Sequence, residues 1–310
     1  MKTYSSTWRR LYGVLFALML LAAAGPLEAL TIEPDQQYTF AMQLYQAGQF
    51  RRAAEEFQRF AFFFPGDARR REAVLRAGIA FLRAEDPQSA MQEFNALSGG
   101  ETLDAIAVEA HFMIAETYLR MKAPSRALLQ LHNLIAMNDA SEVRDRAYFR
   151  IARIQIDQTE WESARRALEQ IGPDSPYPVD RLLAGLSQSG DIPRKNPVLA
   201  GTLSILPGAG QLYLGRYQDG LTAFLLNGGL AWAAFESFDN GQEALGSLIA
   251  FVGLGFYMGN IYGAVSGAHK YNQMQRERFA DELRQQSVLP ASGPPQSRMD
   301  GAIIRIAMRF

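Results

Sequence analysis

Residues that could do chemistry are few in this sequence, and they do not cluster. The chain has three histidines, His111, His132 and His269, and no cysteine. None of the histidines stands in the His-Glu-x-x-His pattern that places two zinc ligands on one helix face. Without cysteine there is no thiol nucleophile, thiolate metal site or disulfide, and no serine nucleophile elbow occurs. We therefore predict that the protein is not an enzyme and needs neither a metal nor a cofactor.

A second candidate is the glycine-rich segment LPGAGQLYLG at 206–215. A glycine-rich loop can bind phosphate when its backbone amides open a helix. The dinucleotide-binding spacing would place glycine at position 213, which is Tyr213, and no Gly-Lys-Ser/Thr follows. We expect no nucleotide site in this segment.

The charge balance excludes another class of partner. The chain has 31 basic and 32 acidic residues, which give a formal net charge of −1. Such a chain has no long-range field that attracts nucleic acid, and no nucleic-acid-binding motif occurs. We predict that nucleic acid is not a partner.

The N-terminus is typical of an export signal. Basic residues precede an uncharged, mostly apolar stretch at 11–24, and small residues follow it. Cleavage after Ala24 or Ala29 fits this pattern, so we predict a signal peptide over 1–29. An uncleaved anchor helix is the alternative, although the stretch is shorter than the roughly 20 apolar residues of a spanning helix. Both interpretations place the segment that follows outside the cytoplasm.

Between residues 34 and 172 the sequence repeats itself every 37 residues. Each copy has two small residues twelve positions apart, and large apolar residues follow the second one after four and seven positions. The small residues are Ala41 and Ala53, Gly78 and Ala90, Ala115 and Ala127, and Ala152 and Ala164. Spacings of three and four predict a helix with one apolar face, and small residues let two antiparallel helices approach closely. We predict four helix pairs and an all-α fold.

The first copy resembles the tetratricopeptide repeat. A small residue, a glycine, an aromatic residue, Ala53, Phe57 and Pro65 stand at that family's offsets. The period here is three residues longer, which we attribute to longer loops between repeats, such as 99–102. The resemblance implies an α-solenoid whose first helices line a concave groove for peptides or extended segments.

The same resemblance implies which residues line the groove. Carried over position by position, the candidate partner-binding residues are Tyr38, Met42, Tyr45, Gln46, Arg83, Glu116, Arg120, Arg153 and Asp157. Leu75, Ile79, Phe112 and Phe149 hold equivalent positions, for which packing between repeats is the alternative. The mixture of aromatic and charged side chains suits a partly polar peptide.

The chain changes character after a linker predicted at 173–195. Residues 221–235 and 244–268 are uncharged and apolar, and the second stretch is long enough to cross a bilayer. We predict a membrane domain over 196–270 with two or three membrane segments, including a transmembrane helical hairpin. A buried hairpin in a soluble protein is the alternative.

The second apolar stretch carries a glycine every four residues. These are Gly255, Gly259, Gly263 and Gly267. Such a strip lets another helix pack in backbone contact, and Asn227 and Asn260 could hydrogen-bond across the pair. The pattern predicts a tight hairpin, or a homodimer through the glycine face.

Residues 197–272 also resemble a group of small bacterial membrane domains that begin with Pro-Gly-x-Gly-Gln-x-Tyr. The matching residues here run from Pro207 to Tyr213. The resemblance implies membrane insertion, with the Pro207-Gly208 break in a re-entrant turn, and it assigns no catalytic residue.

Charge provides a topology. Basic residues flank the two apolar stretches at 216 and 270–278, whereas the loop between them is acidic and has no basic residue. By the positive-inside tendency, that loop faces the periplasm and the tail faces the cytoplasm. With exported repeats, this arrangement needs a third crossing by 197–214, and we prefer it. A re-entrant turn would instead leave two crossings and a periplasmic tail.

The last segment, 271–310, is predicted to be a charged helix followed by a tail. Residues 304–310 alternate between apolar and other side chains, as a strand does. A terminal aromatic on such a strand resembles the closing segment of outer-membrane barrels, but no other strands are predicted. We favour a strand-addition or frayed end. We therefore place the protein in the bacterial inner membrane with its repeat domain in the periplasm, the outer membrane being the alternative.

Two functions fit this organisation. The first is a non-enzymatic, membrane-anchored periplasmic scaffold that contacts the lipid bilayer and binds envelope proteins or peptides through the helical-repeat groove. The second is an accessory subunit of a membrane insertion or transport system, in which the membrane hairpin is the working element. Both predict a protein partner in the cell envelope.

Overall fold

The structure is a computed structural model that describes residues 32–99 and 103–288. The predicted signal peptide and the strand-like end at 304–310 lie outside the described residues. Within the described part of the chain, the regular structure is helical throughout, with thirteen α-helices and one short 3-10 helix. The predicted all-α class is therefore confirmed.

The chain divides into two compact units, residues 1–113 and 114–310. The described helices of the first unit are α1 (Pro34–Gln46), α2 (Phe50–Phe63), α3 (Arg70–Arg83), α4 (Pro87–Ser98) and the first half of α5 (Ala105–Arg120). Helix α1 contacts α2, α2 contacts α3, and α3 contacts α4. Because the connections are short, successive helices run antiparallel.

The second unit begins within α5. It continues with α6 (Pro124–Met137), α7 (Ser141–Asp157), α8 (Trp161–Leu168), α9 (Val179–Ser187), the 3-10 helix (Gln188–Asp191), α10 (Pro197–Leu203), α11 (Ala209–Tyr213), α12 (Tyr217–Asp239) and α13 (Glu243–Gln286). Helices α12 and α13 form an antiparallel hairpin. Helices α10 and α11 pack against α13.

The repeated small residues lie inside the helix pairs, as the spacing predicts. All eight are buried, together with the large apolar residues that follow them. An added Cβ at Gly78 would overlap the ring of Phe94. Helices α3 and α4 therefore approach as closely as they do because position 78 has no side chain.

The turn between the two helices of each pair also recurs every 37 residues. Gly48, Glu85, Lys122 and Thr159 all have positive φ, at 74°, 58°, 56° and 59°. After each first helix, the amide of this residue donates to a carbonyl three residues back, and the next amide donates to a carbonyl five residues back. This is the Schellman helix end, which favours glycine at the left-handed position. Only the first of the four copies has glycine there.

The predicted linker at 173–195 is partly helical. Helix α9 lies within it, and Leu182 and Leu186 on that helix are fully buried. An added Cβ at Gly185 would lie 2.7 Å from Leu283 of α13. This segment is thus packed structure, because its apolar residues recur at helical spacing and meet α13.

Helix α13 continues without interruption from the apolar stretch into the charged segment. It has 44 residues, so it is about 66 Å long. Its C-terminal part packs on the last repeat. Phe279 meets Trp161 edge-on with ring centroids 5.1 Å apart, and Arg284 donates to Asp157 at 2.6 Å.

The turns give a stability prediction. Thr159→Gly is expected to stabilise the α7–α8 pair by about 0.5–1 kcal/mol. It removes the strain of a β-branched residue in the left-handed region, and this gain exceeds the cost of the extra conformational entropy that glycine gives the unfolded chain. The reciprocal change Gly48→Thr should destabilise α1–α2 by about 1 kcal/mol. Amide hydrogen exchange on each helix pair measures both effects. Faster exchange in Thr159→Gly would contradict the explanation.

Candidate functional site

The groove positions predicted in the first unit lie between the first helices of two successive repeats. Tyr38 of α1 packs edge-on against Phe57 and Phe60, with ring centroids 5.7 and 5.2 Å apart. Its hydroxyl lies beside Glu72 and Arg76 of α3. Tyr38 is half-buried, so it links α1 to α3 and also presents part of its surface.

Two helical turns further along, Tyr45 and Arg83 form a second contact of the same kind. The Tyr45 ring packs edge-on against Phe50 at 5.3 Å. The Arg83 guanidinium lies 5.7 Å from the Phe50 ring centroid and beside the Tyr45 hydroxyl. Met42 is half-buried between the two tyrosines, and Gln46 at the end of α1 is exposed. The five predicted positions of this unit therefore share one surface along α1 and α3.

The two tyrosines are held as neutral phenols. Burial raises the pKa of Tyr38 to about 12, and the positive charge of Arg76 offsets part of that effect. Burial also raises the pKa of Tyr45, and Arg83 acts in the opposite direction. Both pKa shifts follow from packing between the first helices.

The groove positions predicted in the second unit are more exposed. Glu116 and Arg120 form an ion pair along α5 at 3.3 Å. Arg153 of α7 is exposed. Asp157 is exposed too, but its carboxylate accepts the hydrogen bond from Arg284 of α13. Asp157 thus contributes to the junction between the last repeat and α13.

The apolar positions in the same register are core residues. Leu75, Ile79, Phe112 and Phe149 are 1, 7, 0 and 5% exposed. These four residues therefore pack in the core, as the alternative interpretation states. The candidate binding surface consists of the polar and tyrosine positions.

The PGAGQLY segment is held by a single residue of α13, Asn260. The Asn260 Nδ2 donates to the carbonyl of Ser204 at 3.0 Å, and its Oδ1 accepts from the amide of Gly208 at 3.2 Å. The Gln211 Nε2 donates to the Asn260 carbonyl at 3.0 Å. All three bonds are buried, so the protein itself provides partners for the Ser204 carbonyl and the Gly208 amide.

The glycines of the segment are required by close approach. Gly208 has a φ of +86°, and an added Cβ there would overlap the carbonyl oxygen of Gly220. An added Cβ at Gly210 would overlap the carbonyl oxygen of Ala200 and the hydroxyl of Ser204. These contacts give the motif a structural explanation, and none of them resembles a phosphate cradle.

The chain enters this segment beside the charged part of α13. The Lys195 amide donates to Asn272 Oδ1 at 2.7 Å, and Asn272 Nδ2 donates to the Lys195 carbonyl at 2.8 Å. Ten residues later, the Ile205 carbonyl accepts from the Tyr257 hydroxyl at 3.0 Å. Between Asn272 and Tyr257, α13 rises about 22 Å. The segment thus runs that far along the apolar part of α13.

The chain then returns towards its starting level. An added Cβ at Gly267 would lie 2.7 Å from Leu214 and 3.3 Å from the Arg216 guanidinium. At Leu214 the chain has therefore come back to the level of Gly267, which lies close to Asn272 on α13. Helices α10 and α11 have only seven and five residues, and each is too short to cross a bilayer. The segment 197–214, which we call the 197–214 turn, therefore folds back along α13 as two short helices, and neither is long enough to be the third spanning helix that we preferred from charge.

The glycine strip does not form the contact between α12 and α13. Added Cβ atoms at Gly255 and Gly259 meet nothing within 4 Å. The close contacts use another face of α13, where Gly246 and Gly253 meet Phe238 and Leu230. Glycine spacing alone did not distinguish these two faces.

The predicted hydrogen bond between the two asparagines is absent as well. Asn227 Nδ2 donates to the Ala223 carbonyl of its own helix at 2.8 Å, and Asn260 bonds to the 197–214 turn. Sequence reasoning missed the roles of Ser204, Tyr257 and Asn272. For Ser204 and Tyr257, the signal is that polar side chains are costly within an apolar segment and therefore need a partner. Asn272 lies in the charged part of α13 and gives no such signal.

The described residues contain no group of three histidine, aspartate or glutamate side chains that could hold a metal ion.

Repeated antiparallel helix pairs with equivalent turns define a helical-repeat protein, a class that binds partners on extended surfaces. Residues 146–172, which span most of α7 and all of α8, match the tetratricopeptide repeat family model. The match and the repeated helix pairs together support a tetratricopeptide-repeat protein. A comparison with curated proteins gives no match.

Tyr38 predicts a pH dependence. Its pKa is about 12 in the folded protein and 10.0 ordinarily, so its contribution to stability is complete below pH 10 and is lost as the pH rises through 12. As the pH rises from about 9 to 11.5, the Tm of Tyr38→Phe should fall less than the Tm of the wild type. The exposed change Tyr217→Phe is the control. An equal fall of Tm in wild type and Tyr38→Phe would contradict the raised pKa of Tyr38.

Asn260 gives a sharper prediction. Asn260→Leu should destabilise the 197–214 turn by about 2–4 kcal/mol, because it leaves the Gly208 amide and the Ser204 carbonyl without partners. Amide exchange over 204–211 should rise accordingly. Asn227→Leu is the matched control, since Asn227 bonds only to its own helix, and it should change the exchange little. Unchanged protection in Asn260→Leu would contradict the role of this residue.

Proposed function

We propose that this protein is a membrane-anchored scaffold that binds protein partners through its helical repeats. The observation that carries the proposal is the junction between the last repeat and α13. The C-terminal part of α13 packs on the repeat through Phe279 and Arg284, and its N-terminal part is long and apolar enough to cross a membrane. One continuous helix thus connects a protein-binding fold to an anchor.

Membrane insertion is supported by which side chains are exposed. The apolar window of α13 has a mean hydropathy of 1.6 and is only 11% buried. On α12 and α13, large side chains such as Trp232, Phe235, Phe251 and Tyr262 are more than 70% exposed. An exposed apolar surface of this extent marks a membrane or interaction surface. In the proposal, lipid covers it.

The proposed topology has two crossings, α12 and α13. The segment from Lys195 to Arg216 enters the membrane beside the charged end of α13 and leaves it on the same side. Between these two points it forms a re-entrant turn. Non-helical backbone at membrane depth is tolerated where protein buries it, as Asn260 does here. The repeats and the C-terminal end of α13 then lie on one side of the membrane, and the α12–α13 loop lies on the other.

We place the repeat side in the periplasm of a bacterial cell, because the export signal predicted at 1–29 precedes the repeats. With two crossings, the basic residues that flank α12 and α13 lie on the repeat side, an orientation that the positive-inside tendency disfavours. That tendency acts mainly through short loops, whereas long domains are exported largely regardless of their charge. In this proposal, the N-terminal signal sets the orientation.

The partner surface is the first-helix face of the repeats. Half-buried tyrosines and exposed polar side chains, including Gln46 and Arg153, suit an extended, partly polar protein segment from the cell envelope. The groove residues Tyr38, Met42, Tyr45, Gln46, Arg83, Glu116, Arg120, Arg153 and Asp157 are proposed on this basis.

A photo-crosslinking pair tests the binding face. A benzophenone amino acid replaces Gln46, on the proposed face, or Gln58, an exposed glutamine of α2 outside it. We expect covalent adducts with discrete envelope proteins from position 46 in intact cells, and at least about fivefold fewer from position 58, because contact surfaces are local. Adducts of equal yield and identity from both positions, or none from position 46, would contradict the proposed face.

A further inference from the structure

The hairpin contains a groove that the scaffold role does not explain. It lies between α12 and α13, has a volume of about 490 Å³, and opens sideways. Its α13 wall carries Gly255, Gly259 and Gly263. Because added Cβ atoms at the first two would meet nothing within 4 Å, the missing side chains create space that α12 does not fill.

Two buried side-chain amides along this groove have an oxygen without a hydrogen-bond donor. Gln211 and Asn227 both line it and are 6 and 8% exposed. The Gln211 Oε1 and the Asn227 Oδ1 make no hydrogen bond in the structure. The Gln211 amide lies at the groove wall, with its Nε2 3.9 Å from the Cβ position of Gly263. A buried acceptor without a donor is costly, so the groove calls for a ligand that donates hydrogen bonds.

The end of the groove at the start of α12 carries one charge of each sign. Arg216 Nε donates to Asp219 Oδ2 at 2.7 Å, and both side chains remain about half exposed. The pair is therefore open to a ligand that carries both a cation and an anion. Further along, Leu226, Val252 and Phe256 line an apolar stretch. From the start of α12 along the groove, the charged pair comes first, the side-chain amides second and the apolar side chains last.

We propose that this groove binds one phospholipid with a zwitterionic, amine-bearing headgroup of the phosphoethanolamine type. The phosphate pairs with Arg216, and the ammonium donates to Asp219 and to the Gln211 Oε1. One acyl chain lies along Leu226 and Phe256. The inference rests on the membrane insertion of α12 and α13 proposed above.

The donor requirement separates two common headgroups. Phosphoethanolamine and phosphocholine carry the same charges, but only the former has N–H groups that can reach carboxylate and amide oxygens. Phosphatidylglycerol has hydroxyl donors and no cation for Asp219. The groove should therefore prefer the ethanolamine headgroup to both.

The test uses the full chain in nanodiscs that contain equal amounts of phosphatidylethanolamine and phosphatidylcholine with identical acyl chains. The chain is released from the nanodisc in the mass spectrometer, and native mass spectrometry then identifies the lipid that stays bound to it. Wild type should retain the ethanolamine lipid about fivefold over the choline lipid. Asp219→Asn should reduce this ratio to about one, because the ammonium loses its carboxylate partner.

Two variants control the test. Asp239→Asn removes an exposed carboxylate at the far end of α12, outside the groove, and should leave the ratio unchanged. Arg216→Gln should lower retention of both lipids together, because both carry the phosphate. A wild-type ratio of one, an unchanged ratio in Asp219→Asn, or a preference for phosphatidylglycerol in a second mixture would overturn the proposal. A chain that inserts without a preference refutes only the groove, whereas a chain that stays out of the nanodisc refutes the membrane anchor.

Discussion

The backbone polar groups of the turn at 204–208 must find their partners within the protein, because the helices around them expose apolar surface. Asn260 satisfies this constraint by donating to the Ser204 carbonyl and accepting from the Gly208 amide. The close packing of Gly208 and Gly210 follows, since the turn can reach Asn260 only if no side chain intervenes. Without that residue, a Pro-Gly break at this depth would leave buried groups unpaired.

The same constraint makes α13 the element that organises the second unit. Tyr257, Asn260 and Asn272 hold the incoming chain along one side of this helix. Three turns beyond Asn272, Arg284 binds the last repeat. Any force that a partner exerts on the last repeat thus acts on the helix that we assign to the membrane. A scaffold tethered in this way keeps its final repeat in a fixed relation to the anchor within this unit.

The repeat fold could be predicted from sequence because its signal is redundant. Small residues, apolar stripes and turn positions all recur every 37 residues, so each copy supports the others, and the turn conformation at Thr159 follows from register even though threonine disfavours it. The α12–α13 hairpin and the segment that packs on it could be predicted only in outline. Glycine spacing indicated a face of α13 but not its partner. The contacts of Asn260 and Asn272 depend on residues about 50 to 80 positions away, which no local pattern specifies.

Charge favours a different topology from the one that we propose. The basic residues near 216 and 270–278 favoured a third crossing only if both groups were independent topology signals. The packing brings Arg216 to Gly267, three residues before Lys270, so both groups lie at one end of the hairpin. This packing supports the two crossings that we propose.

The central claim is that the repeats and the C-terminal end of α13 lie on the same side of the membrane. The cysteine-free chain allows single cysteines at the exposed positions Ser141, Asn240 and Glu282, probed with an impermeant thiol reagent in cells whose outer membrane is permeabilised. The account predicts labelling at 141 and 282 and protection at 240. Labelling at 141 and 240 with protection at 282 would establish three crossings and contradict it.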